Sequence, residues 1–123
     1  MEQTEKKILL IDDDSRNIFA LTAILKSRGF IVFSAASAQE GIEMLLQNKS
    51  IKAVLMDMMM PEMDGYEAIE YIRNKEEIAH VPIIAVTAQA MVGDKEKCLQ
   101  AGANDYISKP IDVDALLKVL ANY

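Results

Sequence analysis

A chain of 123 residues, 51% hydrophobic and 26% charged, suits one globular domain with a substantial core. Its net charge of −6 argues against gripping nucleic acid, because neutralising phosphates requires a basic face. The lone Cys98 excludes an internal disulfide, and no apolar run approaches the ~20 residues of a membrane span. With a polar start, Met1–Lys7, unlike a signal peptide, the expectation is one cytoplasmic domain over residues 1–123, without membrane contact.

The first predicted strand is Lys7–Ile11, and it runs into Asp12-Asp13-Asp14. Asp14 or Ser15 caps a helix whose apolar face carries Ile18, Leu21 and Leu25, ending near Gly29. A second strand, Ile31–Ala35, precedes Ser37-Ala38-Gln39-Glu40, a capping-box pattern, and a helix with Ile42, Leu45 and Leu46 on one face. Gly41 fits that helix poorly. The third strand, Ala53–Met56, ends at Asp57; a loop with Pro61 follows, then the aspartate capping box Asp64-Gly65-Tyr66-Glu67.

Pro82–Val86 reads as the fourth strand and runs into Thr87-Ala88. Gly93 is unsuited to a helix interior, so the fourth helix is expected to begin as late as Asp94 and to end at Gly102. Asp105–Ser108 is the fifth strand, followed by Lys109 and by Pro110, a candidate cis bond. Asp112 caps a last helix striped with Val113, Leu116, Leu117 and Leu120. The strands are short and nearly continuous in apolar character, as parallel strands covered on both faces are. Five βα units predict a doubly wound sheet, and order 2-1-3-4-5 suits five strands. The ligand crevice then lies between strands one and three, where Asp12–Asp14 and Asp57 end.

Carboxylates gathered there repel one another; at ~4 Å and an effective dielectric near 20 each pair costs about 4 kcal/mol. A hard cation removes that cost, and Mg²⁺ takes one or two carboxylates plus phosphate oxygens. Asp12 and Asp13 read as metal-handling residues, and Asp14 as the cap of the first helix. Asp57 ends an apolar run and, beside a metal, is a candidate nucleophile toward phosphorus. Lys109 reads as a fixed cation for a phosphoryl oxygen. Thr87 and the backbone of Ala88 are weaker candidates for the same oxygen, and Tyr106 reads as half-buried packing.

The remaining candidates read as structural. His80 has no companion ligand, and Cys98 has no activating base. Met56, Met58, Met59, Met60 and Met63, mixed with hard carboxylates, suit packing better than a copper site. Neither a phosphate-loop lysine motif nor a dinucleotide fingerprint is present.

Four segments in order resemble the receiver domains of two-component response regulators: Ile8-Leu9-Leu10-Ile11-Asp12-Asp13-Asp14, Met56-Asp57-Met58-Met59-Met60-Pro61-Glu62-Met63-Asp64-Gly65, Val86-Thr87-Ala88 and Asp105-Tyr106-Ile107-Ser108-Lys109-Pro110. The resemblance spans nearly the whole chain and implies a flavodoxin-like (βα)5 fold. It implies that Asp57 accepts a phosphoryl group from a histidine kinase phosphohistidine. Asp13, Asp57 and the Met59 carbonyl would bind Mg²⁺, with Asp12 acting largely through water. Lys109, Thr87 and Ala88 would contact phosphoryl oxygens. Tyr106 would turn inward as Thr87 moves, altering the face formed by the fourth helix, fifth strand and fifth helix.

Within the family, Asp14-Ser15-Arg16-Asn17-Ile18-Phe19-Ala20-Leu21 and Thr87-Ala88-Gln89-Ala90-Met91 resemble receivers of hybrid histidine kinases. Output is then expected through binding, to a histidine phosphotransfer protein or an effector, with a phosphorylation-dependent homodimer a further form. A stand-alone response regulator is the alternative origin. Met59 and Gln89 would flank the path of a water attacking the acyl phosphate. An enzymatic rival is a haloacid-dehalogenase-like phosphatase, whose Asp-x-Asp motif Asp12-Asp13-Asp14 contains. Arg16 stands where that family usually carries Thr or Val, and 123 residues leave no room for its cap domain. A degenerate receiver serving only for docking is the third reading, and the intact acids, Thr87 and Lys109 speak against it.

Overall fold

Alternation within the central strands decides the architecture, because each strand has an apolar residue for both of its faces. The computed structural model describes residues 6–88 and 93–123. Its elements in chain order are β1 (Lys7–Ile11), α1 (Ser15–Ser27), β2 (Ile31–Ala35), α2 (Ala38–Gln47) and β3 (Ile51–Asp57), then α3 (Gly65–Arg73), β4 (Ile83–Thr87), α4 (Asp94–Ala101), β5 (Asp105–Ser108) and α5 (Val113–Leu120). The strands form one parallel sheet in the order β2-β1-β3-β4-β5, the expected flavodoxin-like winding.

Successive residues feed opposite cores. Leu9, Ile11, Val54, Met56, Ile83 and Ala85 pack with Ile42 and Leu45 of α2, Ile69 and Ile72 of α3 and Cys98 of α4. Ile8, Leu10, Ala53, Leu55, Ile84 and Val86 pack with Leu25 of α1 and with Leu116 and Leu120 of α5. Each fully buried aliphatic side chain contributes roughly 1.5–3 kcal/mol of transfer free energy, so the central strands dominate the hydrophobic stabilisation.

Several boundaries differ from the sequence reading. β3 runs from Ile51 to Asp57 rather than Ala53–Met56, because its pairing continues past the exposed Lys52 at one end and through Asp57–Val86 at the other. β4 begins at Ile83, one residue later, and Pro82 contributes only its carbonyl, to Val54 N–H. Gly41 lies inside α2, where a Cβ would sit 2.3 Å from Ile11 Cδ1; the glycine lets the helix approach the sheet. Asp64 and Glu67 form a complete capping box. Ser37 accepts from Glu40 N–H as expected, but the Glu40 carboxylate accepts from Ala36 N–H, one residue further back.

Arg73, at the end of α3, ties the amino ends of β4 and β5 together. Its guanidinium donates to the carbonyls of Ala79, Val81 and Gly102 and to Asn104 Oδ1, which also accepts from Ile83 N–H. Among the described residues no helix is long and apolar enough to cross a membrane.

Candidate functional site

Sheet register assembles the site. Ile11 pairs with Met56, so the residues that follow, Asp12 and Asp57, emerge side by side. Asp57 pairs with Val86 and Thr87 with Ser108, which brings Thr87 and Lys109 to the same rim. Lys109 N–H donates to the Thr87 carbonyl at 2.8 Å, extending the ladder one residue beyond β5. The Lys109–Pro110 bond is cis, as the sequence suggested.

Asp12 and Asp57 are buried at 6% and 4% exposure, whereas Asp13 is exposed. Carboxylate oxygens of all three lie within 4.8 Å of one another. Lys109 Nζ stands 3.6 Å from Asp57 Oδ1 and 3.7 Å from Asp12 Oδ2. Met59 N–H donates to Asp57 Oδ1 at 3.1 Å, and Asp14 N–H donates to Asp12 Oδ1 at 2.8 Å. Burial pushes the Asp57 carboxyl up to about 6, and the neighbouring Asp12 charge adds to the rise. The Met59 amide and Lys109 pull it back only in part. Three converging hard oxygen donors, one of them destabilised as an anion, match what Mg²⁺ requires.

The loop after β3 is held close by packing. Met58 is buried, and its N–H donates to the Val86 carbonyl. At Gly65 a Cβ would lie 2.5 Å from Met58 Sδ and 2.7 Å from Met58 Cα, so only glycine lets α3 start against this loop. Met56 and Met60 are buried as expected, whereas Met59 is 52% exposed at the mouth of the site. Thr87 is buried at the end of β4, and Ala88 is exposed beside it. Tyr106 is partly buried against the α2–α3–α4 core. Gln89, Ala90 and Met91 lie outside the described residues.

Of the other candidates, Asp14 caps α1 through Arg16 N–H, His80 is exposed, and Cys98 is buried in α4. The sequence reading gave no role to Asn17, whose Nδ2 approaches Asp12 Oδ2 at 3.5 Å from the first turn of α1. Its position five residues after a strand-end acid was the available signal. Nor did it anticipate a cavity of about 490 Å³ between α1 and the β5–α5 loop. Leu21, Ile24, Pro110 and Ile111 line it, and Asn17 and Lys109 stand at its edge.

The chain is similar to known proteins over nearly its whole length. The response regulator receiver domain family matches residues 8–121. The polar-differentiation response regulator DivK of Brucella ovis is 31% identical over 118 residues, covering 96% of this chain and 95% of DivK. Hybrid signal transduction histidine kinase I of Dictyostelium discoideum is 40% identical over 121 residues, 94% of this chain but 7% of the kinase. A solved receiver domain of the Pseudomonas aeruginosa sensor histidine kinase PA1611, with magnesium in its active-site cleft, superposes with TM-score 0.88. It is 38% identical, with 98% of each chain covered. These matches favour a phospho-accepting signalling domain over the phosphatase reading. With one family spanning the fold from β1 to the end of α5, this chain belongs to the response regulator receiver domains of two-component signalling.

Proposed function

We propose that Asp57 is the phospho-acceptor of a phosphorelay, taking the phosphoryl group from the phosphohistidine of a histidine kinase. One observation carries the reading: two buried carboxylates from different strands share a single ammonium, Lys109, within 3.7 Å. Asp57 Oδ1 takes the Met59 N–H and lies beside Lys109, which leaves Oδ2 to attack phosphorus as the imidazole departs. Asp13, Asp57 and the Met59 carbonyl would hold Mg²⁺, with Asp12 reaching it largely through water; the metal supplies neutralisation of charge on the transferring group. Lys109 pairs with one phosphoryl oxygen, and the Thr87 hydroxyl and Ala88 N–H bind another.

The phosphoryl group then favours one of two arrangements through contacts the other lacks. Thr87 moves toward it, Tyr106 turns inward, and the α4–β5–α5 face changes. That face carries output, either to a histidine phosphotransfer protein or effector, or to a second copy. The apolar groove between α1 and the β5–α5 loop, with Lys109 at its edge, suits a helix presenting the donor imidazole to Asp57. Likeness to the hybrid kinase supports an origin as one domain of a hybrid sensor kinase, and likeness to DivK supports a stand-alone regulator; the higher identity favours the former. A cytoplasmic location fits either assignment.

The test is chemical. Incubation with Mg²⁺ and acetyl phosphate, trapping of the acyl phosphate and peptide mass spectrometry are expected to place the label on Asp57. A label on Asp12 would support the phosphatase, and no label would support a docking module.

A further inference from the structure

A second buried carboxylate lies outside the phosphoryl site. Asp94 opens α4 after Gly93, which offers no side-chain cap, and it is only 9% exposed. Its Oδ1 accepts from the Tyr66 hydroxyl of α3 at 3.2 Å. That hydroxyl also lies 3.8 Å from Cys98 Sγ, one turn further along α4, and Lys97 Nζ sits 4.6 Å above the Tyr66 ring. Tyr106 of β5 packs against the same core as Tyr66 and Cys98, and burial first, then the Asp94 charge, holds its hydroxyl above the ordinary tyrosine range. Asp94 Oδ2 is buried without a hydrogen-bond partner among the described residues.

The rest of α4 holds weakly. Of its eight residues, Asp-Lys-Glu-Lys-Cys-Leu-Gln-Ala, only Asp94 and Cys98 are buried, and both engage Tyr66. An element with so little buried apolar surface has low local stability, so one polar contact decides how firmly it sits. A buried carboxylate with an unpaired oxygen is costly, and its cost changes with any movement that brings or removes a donor.

We propose that Asp94 is a positioning residue, a catch that ties the seat of α4 on α3 to the rotamer of Tyr106. Held by Tyr66 and placed beside Tyr106, it favours the arrangement seen here. When Tyr106 turns and α4 shifts, Asp94 gives up its Tyr66 contact. The catch therefore opposes the phosphoryl-bound arrangement and sets how readily the α4–β5–α5 face changes. This inference rests on the receiver reading for its link to the phosphoryl group, but not for its link to α4.

Two measurements on the whole chain test it: hydrogen exchange of α4 amides, and affinity for beryllofluoride with Mg²⁺. In Asp94→Ala, α4 exchange is expected to rise about tenfold with β1 and β3 unchanged, and beryllofluoride to bind about three- to tenfold tighter, as reciprocal coupling requires. Asp94→Asn keeps an oxygen for Tyr66 and is expected to stay within about twofold of the parent. Unchanged α4 exchange in Asp94→Ala overturns the catch. Faster exchange with unaltered affinity also overturns it, because Asp94 would then be structural only. Should Asp94→Ala fail to fold, Tyr66→Phe removes the hydroxyl alone and is read the same way. If the parent chain takes no beryllofluoride and Asp57→Asn makes no difference, the receiver reading falls, and α4 exchange alone judges the catch.

Discussion

Lys109 Nζ lies 3.6 Å from Asp57 Oδ1, closing a site that two strand ends begin and a third completes. The ammonium is 24% exposed and the carboxylate 4%, so the pair is partly screened from water. Lys109→Met is expected to lower metal-free stability at pH 7.5 by about 1–3 kcal/mol, since it leaves a buried carboxylate without its cation. Urea unfolding measures this, and an unchanged midpoint would show that the pair contributes nothing. Phosphorylation by acetyl phosphate is expected to fall sharply in the same variant.

Asp57 also sets a pH dependence. Its folded-state carboxyl is raised from 3.8 to about 6, so its contribution to stability is complete below about 3.8 and lost as pH rises through about 6. At pH 7.5 the charged side chain costs on the order of 2–3 kcal/mol. Asp57→Asn is therefore expected to raise the metal-free urea midpoint at pH 7.5 and to leave it nearly unchanged at pH 4.

Asp13 is the exposed member of the acid cluster, so its removal relieves repulsion at little packing cost. Asp13→Ala is expected to stabilise the metal-free protein slightly, by less than about 1 kcal/mol, while weakening Mg²⁺ binding tenfold or more. Calorimetric titration with Mg²⁺ and urea melts would check both. A lower midpoint with unaltered Mg²⁺ affinity would contradict the repulsion account.

Met59 presents an apolar, half-exposed side chain at the mouth of the site while its amide serves Asp57. Met59→Asn is expected to shorten the phosphoryl lifetime by about fivefold, equivalent to ~1 kcal/mol of barrier, by offering a polar partner to the attacking water. Decay of the trapped label over time reads this, and an unchanged lifetime would refute it.

Gly65→Ala would drive a methyl into Met58, so about 1–3 kcal/mol of stability is expected to be lost. The thermal midpoint reports the loss. Because Met58 adjoins both Asp57 and Met59, weaker Mg²⁺ binding is expected alongside it.

The strands, the acids at two strand ends and Lys109 at a third were legible in the sequence, because apolar runs, turn residues and charges are local patterns; the strand order followed from the doubly wound winding that suits five βα units. Asp64, Asp112 and Gly102 marked helix ends for the same reason. Contacts between distant segments were not legible. Gly41 looked like a helix breaker until the Ile11 side chain above it explained the missing Cβ. Asp94 entered only as the start of the fourth helix, yet it is buried and holds the Tyr66 hydroxyl of α3. What residue order determined was which groups stand at the sheet's carboxyl edge. What only the folded chain decided was their register, burial and charge, because desolvation and Coulomb energy depend on distances that sequence spacing does not set.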